Sequence, residues 1–261
     1  MSVFREYAEY YDILYQDKDY SGEIEFVLNC LGPVPDGAAL LELGSGTGRH
    51  AEALAKRGFR VTGVDRSAEM VAQAQRRFAG LPQNAATPTF SVGDLRSVRL
   101  NRKFDLVISL FHVFSYQVSN EDLAAAFRTA ECHLAPRGKF LFDFWYGPAV
   151  LTDPPEVRVR RIRGSDFNVI RLAEPALQQA QNYVDVNYEL IFERDFGGPP
   201  VKVREVHAMR YFFLPELAEH LSRVGLRLVS SGAWMQKKPL DLNSWYGWVL
   251  ADRADPPSPT A

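Results

Sequence analysis

The stretch "LLELGSGTGRH", residues 40–50, decides the fold because glycines at three alternate positions interrupt an apolar run. The run itself, "AALLEL" at residues 38–43, is typical of a strand that is buried on both faces. Glycine permits the tight turn that must follow and lets the backbone approach a ligand closely. The next segment, "RHAEALAKRG", reads as a helix that ends at Gly58. The stretch therefore predicts a strand, a glycine turn and a helix whose first amides face a ligand.

The alternation of strands and helices continues for about one hundred residues beyond this turn. Further apolar strands are predicted at residues 60–65, 89–94, 104–111 and 139–145, with amphipathic helices between them. Ser67 precedes one of these helices and is a typical N-cap. Strands and helices in this order form βαβ units, so the predicted sheet is parallel with right-handed crossovers.

The segments on either side of this core have a different rhythm. Two amphipathic helices, at residues 4–15 and 20–31, precede it, and strand-like segments separated by turns follow from about residue 155. We predict an N-terminal helical cap over 1–37, a core over 38–150 and 214–251, an antiparallel β insertion over 151–213 and a disordered tail over 252–261.

Composition narrows the classes of function. The 261 residues carry a formal net charge of −2, which gives no global attraction to nucleic acid or to an anionic membrane. No apolar run approaches the roughly 20 residues of a membrane span, and the N-terminus does not resemble a signal peptide. Cys30 and Cys132 belong to no C-x-x-C pattern, which argues against a disulfide framework and a metal site. A cytoplasmic protein is expected.

The glycine turn first suggests a dinucleotide site. Asp65 ends the second strand about 20 residues after Gly44, where an acid can accept hydrogen bonds from ribose hydroxyls. However, the pattern is G-x-G-x-G, with Arg49 following the last glycine. Glu42 would repel a pyrophosphate and would suit a ligand with an ammonium group. S-adenosylmethionine (SAM) carries an ammonium group, a ribose diol and a sulfonium, so we predict SAM and keep a dehydrogenase as the remote alternative.

At this point five segments show a family resemblance. "LLELGSGTGRH" resembles motif I of the class I SAM-dependent methyltransferases, and "VTGVDRSAEM", "FSVGDLRSV", "FDLVISLFHVFSY" and "HLAPRGKFLFDF" resemble the motifs that follow it. They occur in order over residues 38–145. The resemblance implies a Rossmann-like, seven-stranded, mostly parallel sheet with helices on both faces, in which residues 214–251 supply the last helix and an antiparallel strand pair.

The resemblance also implies a set of cofactor-binding residues. Asp65 would bind the ribose, Asp94 would accept a hydrogen bond from the adenine amino group, and Leu95 would flank the ring. The full predicted set is Tyr11, Glu42, Gly44, Ser45, Gly46, Gly48, Asp65, Arg66, Asp94, Leu95 and Phe111.

A subgroup is suggested by segments outside the core motifs. "YAEYYDILYQDKDYSGE", "SLFHVFSYQ", the β insertion and "REVHAMRYFFLPEL" resemble the N-methyltransferases of deoxyaminosugar biosynthesis and methyltransferases of surface-polysaccharide pathways. The sugar N-methyltransferases methylate the amine of a nucleotide-linked sugar and are usually dimers. The resemblance implies a nucleotide-sugar acceptor and a homodimer that forms through the insertion.

Aromatic and titratable residues supply the candidate catalytic groups. Tyr7, Tyr11 and Tyr15 form one helical stripe, which is either core or a cover for the cofactor. His112 and Tyr116 follow the fourth strand, where open α/β sheets bind ligands. We predict catalytic roles for His112, Tyr116 and Tyr15.

His112 can accept a proton near neutral pH, although a histidine held by a backbone partner is equally compatible with the sequence. Methyl transfer to a neutral amine needs mainly proximity, whereas a hydroxyl acceptor needs a base. Two alternatives therefore stay open: O-methylation with His112 as base, and a non-catalytic SAM-binding protein.

Six residues are candidates for the acceptor site: Trp145, Tyr146, Arg158, Arg160, His207 and Arg210. The two aromatic residues end the fifth strand and would form a wall. Arg158 and Arg160 are either charges that guard an edge strand or a clamp for the phosphates of a nucleotide-sugar. His207 and Arg210 either point at the acceptor or lie on a strand surface.

Overall fold

A twisted sheet of seven strands forms the core of the protein, as a computed structural model that describes residues 11–82, 86–163, 167–194 and 197–254 shows. The strands are β1 (Ala39–Leu43), β2 (Arg60–Asp65), β3 (Thr89–Val92), β4 (Phe104–Ser109), β5 (Leu134–Tyr146), β10 (Leu226–Ala233) and β11 (Tyr246–Arg253). Their order is β3-β2-β1-β4-β5-β11-β10, and the first five strands are parallel. The last two strands are antiparallel to their neighbours. The predicted Rossmann-like sheet is confirmed.

Helices cover both faces of this sheet. They are α1 (Tyr11–Leu14), α2 (Tyr20–Leu31), α3 (Arg49–Ala55), α4 (Ala68–Phe78), α5 (Asn120–His133), α6 (Gly147–Thr152) and α7 (Leu214–Ser222). Leu123 of α5 and Leu217 of α7 pack into one apolar core, while Ile24 of α2 and Leu54 of α3 pack into a second. All residues of β1 are buried, as its continuous apolar run predicts.

Four strands form the predicted antiparallel insertion. They are β6 (Arg158–Arg163), β7 (Phe167–Gln178), β8 (Tyr183–Arg194) and β9 (Val201–Phe212), and each pairs with the next along the chain. The insertion continues the core sheet because β9 pairs in parallel with the end of β5, through Trp145–Tyr211 and Tyr146–Phe212. The two sheets therefore meet where the fifth core strand ends.

One predicted boundary differs from the structure. The last strand continues to Arg253, beyond the predicted start of the tail, because Arg227 donates to Asp252 at 3.1 Å and Arg253 donates to the Glu131 carbonyl at 2.7 Å. Of the helix predicted over residues 4–15, the described part contains α1 over Tyr11–Leu14, and Tyr7 lies outside the described residues.

Within the described ranges, no helix is long and apolar enough to cross a membrane, and no group of His, Cys, Asp or Glu side chains is placed to hold a metal ion.

The central position of β5 makes a stability prediction. Leu141 is 0% exposed and pairs with Ile108 of β4 and Leu250 of β11. We expect Leu141→Ala to lower the free energy of unfolding by about 2–5 kcal/mol, because it opens a cavity in the core. The matched control is Leu242→Ala, since Leu242 is 56% exposed and its truncation should cost less than about 0.5 kcal/mol. Urea titration of both variants measures the difference, and equal losses would contradict this account of the core.

Candidate active site

The turn after β1 is built from three glycines in the left-handed region of backbone space. Gly44, Gly46 and Gly48 have φ angles of 80°, 51° and 78°. A Cβ atom on Gly44 would lie 2.5 Å from Val113, so only glycine fits there. A Cβ atom on Gly46 would meet nothing within 4 Å, so its backbone faces open space. Gly48 instead packs, because a Cβ there would lie 3.0 Å from the Phe90 ring.

This turn borders a cavity of about 340 Å³ between the core sheet and the insertion. Most of the predicted site residues line it: Tyr11, Tyr15, Gly44, Ser45, Gly46, Asp65, Arg66, Asp94, Leu95, Phe111, His112, Tyr116, Trp145, Arg158 and His207. Five predicted residues do not line this cavity: Glu42, Gly48, Tyr146, Arg160 and Arg210. The cavity therefore brings together residues from the core motifs, the N-terminal segment and the insertion.

Asp65, at the end of β2, is held at the cavity by two backbone amides. Its Oδ2 accepts from the Gly46 N–H at 2.9 Å, and its Oδ1 accepts from the Ser67 N–H at 2.9 Å. Burial raises the pKa of the Asp65 carboxyl, and these two hydrogen bonds oppose the rise. The acid is thus fixed beside Gly46, the glycine of this turn whose backbone faces open space.

Asp94, which follows β3, faces the cavity with an arginine already bound. The Arg96 side chain donates to both carboxylate oxygens, with an Nη2–Oδ2 distance of 2.6 Å, and its backbone N–H donates to Oδ1 at 2.9 Å. The Arg96 guanidinium lowers the pKa of Asp94, so this carboxylate stays ionised. Sequence reasoning found the acid and missed its partner.

Glu42 lies behind the glycine turn, and its carboxylate faces His50. It is 1% exposed, and among the described residues neither of its oxygens meets the criteria for a hydrogen bond; His50 Nδ1 lies 3.4 Å from Oε1. His50 Nε2 lies 2.8 Å from Glu23 Oε2. Burial raises the pKa of Glu42, while His50 opposes that rise. The ring of His50, and not Glu42 itself, reaches the cavity wall.

Aromatic rings from the N-terminal segment meet the end of β4. The ring centroids of Tyr11 and Tyr15 lie 4.8 Å apart, and Tyr15 packs edge-on against Phe111 at 5.0 Å. Phe111 and His112 have φ angles of 67° and 61°, a left-handed conformation that costs of order 1–3 kcal/mol for residues with side chains. The chain therefore carries backbone strain at this point of the cavity wall.

Asp143 of β5 contacts His112 at both the backbone and the ring. The His112 N–H donates to Oδ1 at 2.9 Å, and Nδ1 lies 2.8 Å from Oδ2. The second pair is close enough for an ion pair, but its geometry does not meet the criteria for a hydrogen bond. The imidazole stacks on the Tyr246 ring at 4.4 Å. The ring and the backbone N–H of His112 thus both contact the same buried carboxylate.

A second chain of polar contacts runs from Tyr116, at the end of a short 3-10 helix (Val113–Tyr116), to the insertion. The Tyr116 hydroxyl lies 2.7 Å from His207 Nδ1, and His207 Nε2 lies 2.9 Å from Glu205 Oε2. Burial raises the pKa of Tyr116 well above its ordinary value, so the hydroxyl stays protonated. This chain ties the core to the wall formed by β9.

Three residues predicted for the acceptor site lie elsewhere. Arg210 is buried, donating to the Val118 carbonyl at 3.0 Å and pairing with Asn120 and Glu216. It therefore holds β9 to the start of α5 and α7.

Tyr146 and Arg160 also lie off the cavity. The Tyr146 N–H donates to the Trp245 carbonyl at 3.0 Å, and its ring packs against the apolar core. Arg160 of edge strand β6 borders an adjoining recess, which shares Tyr15, Phe111, His112 and Tyr246 with the cavity.

Other lining residues were missed by the sequence reasoning, notably Arg171, Tyr188 and Tyr246. Arg171 donates to the Tyr15 hydroxyl at 3.2 Å, and its guanidinium lies 5.2 Å from the Tyr188 ring centre. A charged residue between apolar neighbours, as in "NVIRLAE", is a signal that could have identified Arg171.

Residues 40–138 match the family model described as a methyltransferase domain. This chain carries a methyltransferase domain. The methyltransferase is 27% identical, over 85% of its length and 91% of the relative's, to dTDP-3-amino-3,4,6-trideoxy-alpha-D-glucopyranose N,N-dimethyltransferase of Streptomyces venezuelae. The prediction of a methyltransferase is confirmed.

Solved structures share the fold of this methyltransferase. The crystal structure of DesVI from Streptomyces venezuelae superposes with a TM-score of 0.78, at 24% identity over 95% of this chain and 98% of that one. A SAM-bound amino pentose methyltransferase from Micromonospora echinaspora, involved in calicheamicin biosynthesis, superposes with a TM-score of 0.73, at 23% identity over 97% and 99% of the two chains. The likeness extends over the insertion as well as the core.

The pairing of His50 with two carboxylates predicts a pH dependence of stability. Burial lowers the pKa of His50, but Glu23 and Glu42 outweigh that effect and raise it above 6.5. The folded protein then binds more protons than the unfolded chain around and above pH 6.5, so stability should fall as the pH rises from there through the raised pKa of His50. We expect His50→Gln to show a shallower fall in the urea midpoint. Equal slopes for wild type and variant would contradict the assignment.

Proposed function

We propose that this methyltransferase transfers a methyl group from SAM to the amine of a nucleotide-linked deoxyaminosugar. The observation that carries the proposal is that one cavity has two different walls. The glycine turn and the strand-end acids form one wall, and arginine and aromatic side chains of the insertion form the other. The similarity to an aminosugar N,N-dimethyltransferase over nearly the whole of that relative supports the choice of acceptor.

The donor groups on the core side of the cavity fit SAM. Asp65 offers acceptor oxygens at the position of a ribose diol, and the open backbone at Gly46 allows close approach. Leu95 and Phe111 offer apolar surfaces for a ring, beside the ionised Asp94. Glu42 does not line the cavity and faces His50, so its predicted contact with the ammonium group of SAM could act only through that ring. When bound, SAM supplies an electrophilic methyl group on a sulfonium.

The insertion side of the cavity fits a nucleotide-sugar. Arg158 and Arg171 both line the cavity, and guanidinium groups bind phosphate oxygens in bidentate fashion. Trp145 and Tyr188 provide flat surfaces against which a sugar or a base can pack. Arg171 therefore takes the place that the sequence reasoning gave to Arg160.

Orientation is the main task of the protein side chains in this reaction. A neutral amine needs little activation, so holding it in line with the methyl group supplies much of the acceleration. Tyr15 and Phe111 pack edge to face where the two walls meet and help exclude water.

O-methylation is the second candidate, because the contact between His112 and Asp143 is compatible with a base for a hydroxyl acceptor as well. A carboxylate on one imidazole nitrogen leaves the other nitrogen able to accept a proton, as a hydroxyl acceptor requires. Nucleotide-sugars with a hydroxyl in place of the amine distinguish the two reactions. The cytoplasmic location and a homodimer through the β insertion stay predictions.

The direct test incubates the full chain with SAM and a panel of nucleotide-linked aminosugars, with mass spectrometry to detect methyl gain. Transfer to the amine supports the proposal and excludes a non-catalytic SAM-binding protein. Calorimetry that detects neither SAM nor S-adenosylhomocysteine binding would refute the cofactor assignment, and methyl gain only on hydroxyl-bearing acceptors would favour the alternative.

Asp65 provides a test of the cofactor wall. Asp65→Ala should weaken SAM binding about tenfold or more, because hydrogen bonds to a charged group contribute roughly 1.5–3 kcal/mol. Asp185→Ala is the matched control, since Asp185 lies on β8 and does not line the cavity. Calorimetry measures both dissociation constants, and unchanged affinity in the Asp65 variant would remove this acid from the site.

Arg171 provides a test of the nucleotide half of the acceptor. We expect Arg171→Gln to raise the KM for the nucleotide-linked aminosugar at least tenfold, by loss of a charged phosphate contact worth roughly 1.5–3 kcal/mol. The KM for the same aminosugar without its nucleotide should change little. Arg161→Gln serves as control, because Arg161 is exposed on β6 and lines neither the cavity nor the recess beside it. Steady-state kinetics decide the matter, and a uniform effect on both acceptors would argue against a phosphate contact.

A further inference from the structure

His112 is held in a conformation that its own sequence does not favour. It and the preceding Phe111 both have left-handed φ angles, which residues with side chains adopt rarely. Such strain persists only where surrounding contacts impose it, and it concentrates at functional sites. The group that holds His112 in this conformation is therefore a candidate for a functional role.

Asp143 is that group. It lies on β5 beside the end of β4, since Ser109 pairs with Phe142. One carboxylate oxygen accepts the His112 backbone N–H at 2.9 Å, and the other lies 2.8 Å from Nδ1 of the same residue. A single side chain thus fixes the main chain and the ring of His112 together.

The contact also sets the position of the proton on the neutral ring. Asp143 is 1% exposed, and among the described residues its only ion-pair partner is His112. An ionised carboxylate is an acceptor only, so the ring nitrogen beside it must carry a hydrogen. Nε2 then has a free lone pair, and within the described part of the chain it has no hydrogen-bond partner. The less than ideal direction at Nδ1 is common where a site tightens around its substrate.

Two aromatic rings fix the plane of the imidazole. Tyr246 stacks on it at 4.4 Å with an interplanar angle of 15°, and Trp145 presents an edge at 6.5 Å. Both rings line the same cavity as His112. The ring is therefore oriented, and not merely tethered, beside the proposed acceptor wall.

We propose that Asp143 is a positioning residue that keeps His112 in the Nδ1–H tautomer, so that Nε2 can accept a proton from the ammonium group of the acceptor. The inference rests on the proposed function. An aminosugar amine is largely protonated near neutral pH, and an ammonium nitrogen has no lone pair. In the proton transfer an N–H bond of the acceptor breaks, its electron pair stays on the amine, and a new N–H bond forms at Nε2. The amine then has the lone pair that attacks the methyl carbon, and imidazolium is balanced by the Asp143 carboxylate.

The substitution Asp143→Asn tests the proposal with almost no change in volume. An asparagine oxygen still accepts the His112 backbone N–H, but its amide presents a donor to Nδ1. The ring should then switch to the Nε2–H tautomer, which has no lone pair toward the acceptor. The matched control is Asp105→Asn, because Asp105 also accepts a backbone amide, from Ala39 at 2.8 Å, and does not line the cavity.

The first measurement is the tautomer of His112 in the full chain without substrate, by nitrogen-15 NMR at a pH where the ring is neutral. Wild type should show Nδ1–H and Asp143→Asn should show Nε2–H, with Asp105→Asn like wild type. Wild type in the Nε2–H form, or a ring that stays doubly protonated throughout the pH range of activity, overturns the proposal. The wild-type spectrum decides this point even if the variant does not fold.

The second measurement is the pH profile of methyl transfer. Asp143→Asn should lower kcat at least tenfold near neutral pH with unchanged SAM affinity, and the loss should shrink at a pH where the free aminosugar is already neutral. A loss that is constant across pH, or no loss, overturns the role in proton acceptance. If wild type does not methylate the aminosugars while the tautomers behave as expected, the proposed substrate fails and the positioning of His112 by Asp143 stands.

Discussion

The left-handed turn between β1 and α3 is the constraint on which the rest of the site depends. The amides of Gly44 and Ser45 both donate to the Val64 carbonyl, at 2.8 and 3.0 Å, and the Gly46 amide donates to Asp65. These bonds tie the turn to the end of β2 before any ligand is considered. Parallel pairing then brings the ends of β1, β2, β4 and β5 to one edge of the sheet. The cavity follows from this arrangement.

Local chemistry explains why the core could be predicted from the sequence. A buried strand, a glycine turn and a helix cap each depend on a few neighbouring residues, so the motifs predict the parallel sheet and place Asp65 and Asp94 at its edge. Ser67 behaves as predicted, with its hydroxyl accepting the Met70 amide at 3.2 Å. The positions of Glu42 and Gly48, away from the cavity, were harder to predict from the sequence. Alternation shows that a residue is buried, but not whether it faces a ligand or a neighbouring element.

Contacts between distant segments explain what could not be predicted. Arg210 is held by Val118 and Asn120, roughly ninety positions away in the chain, and nothing local indicates this pairing. Arg158 and Arg160 share one face of β6, yet two residues advance a strand by about 7 Å, which places Arg160 at the adjoining recess and not at the cavity itself. In the sequence, Asp143 is only one residue of a predicted apolar strand. Its role depends on register with β4, which a single sequence does not reveal.

The narrow junction between the two sheets has an evolutionary consequence. Within the described residues, backbone pairing between the core and the insertion is limited to two residue pairs at the end of β5. Most backbone hydrogen bonds of the insertion join its own strands. Insertions or substitutions in β6, β7 and β8 therefore leave the register of the core strands unchanged. Changes in these three strands can thereby alter the half of the cavity that they contribute while the glycine turn keeps its geometry.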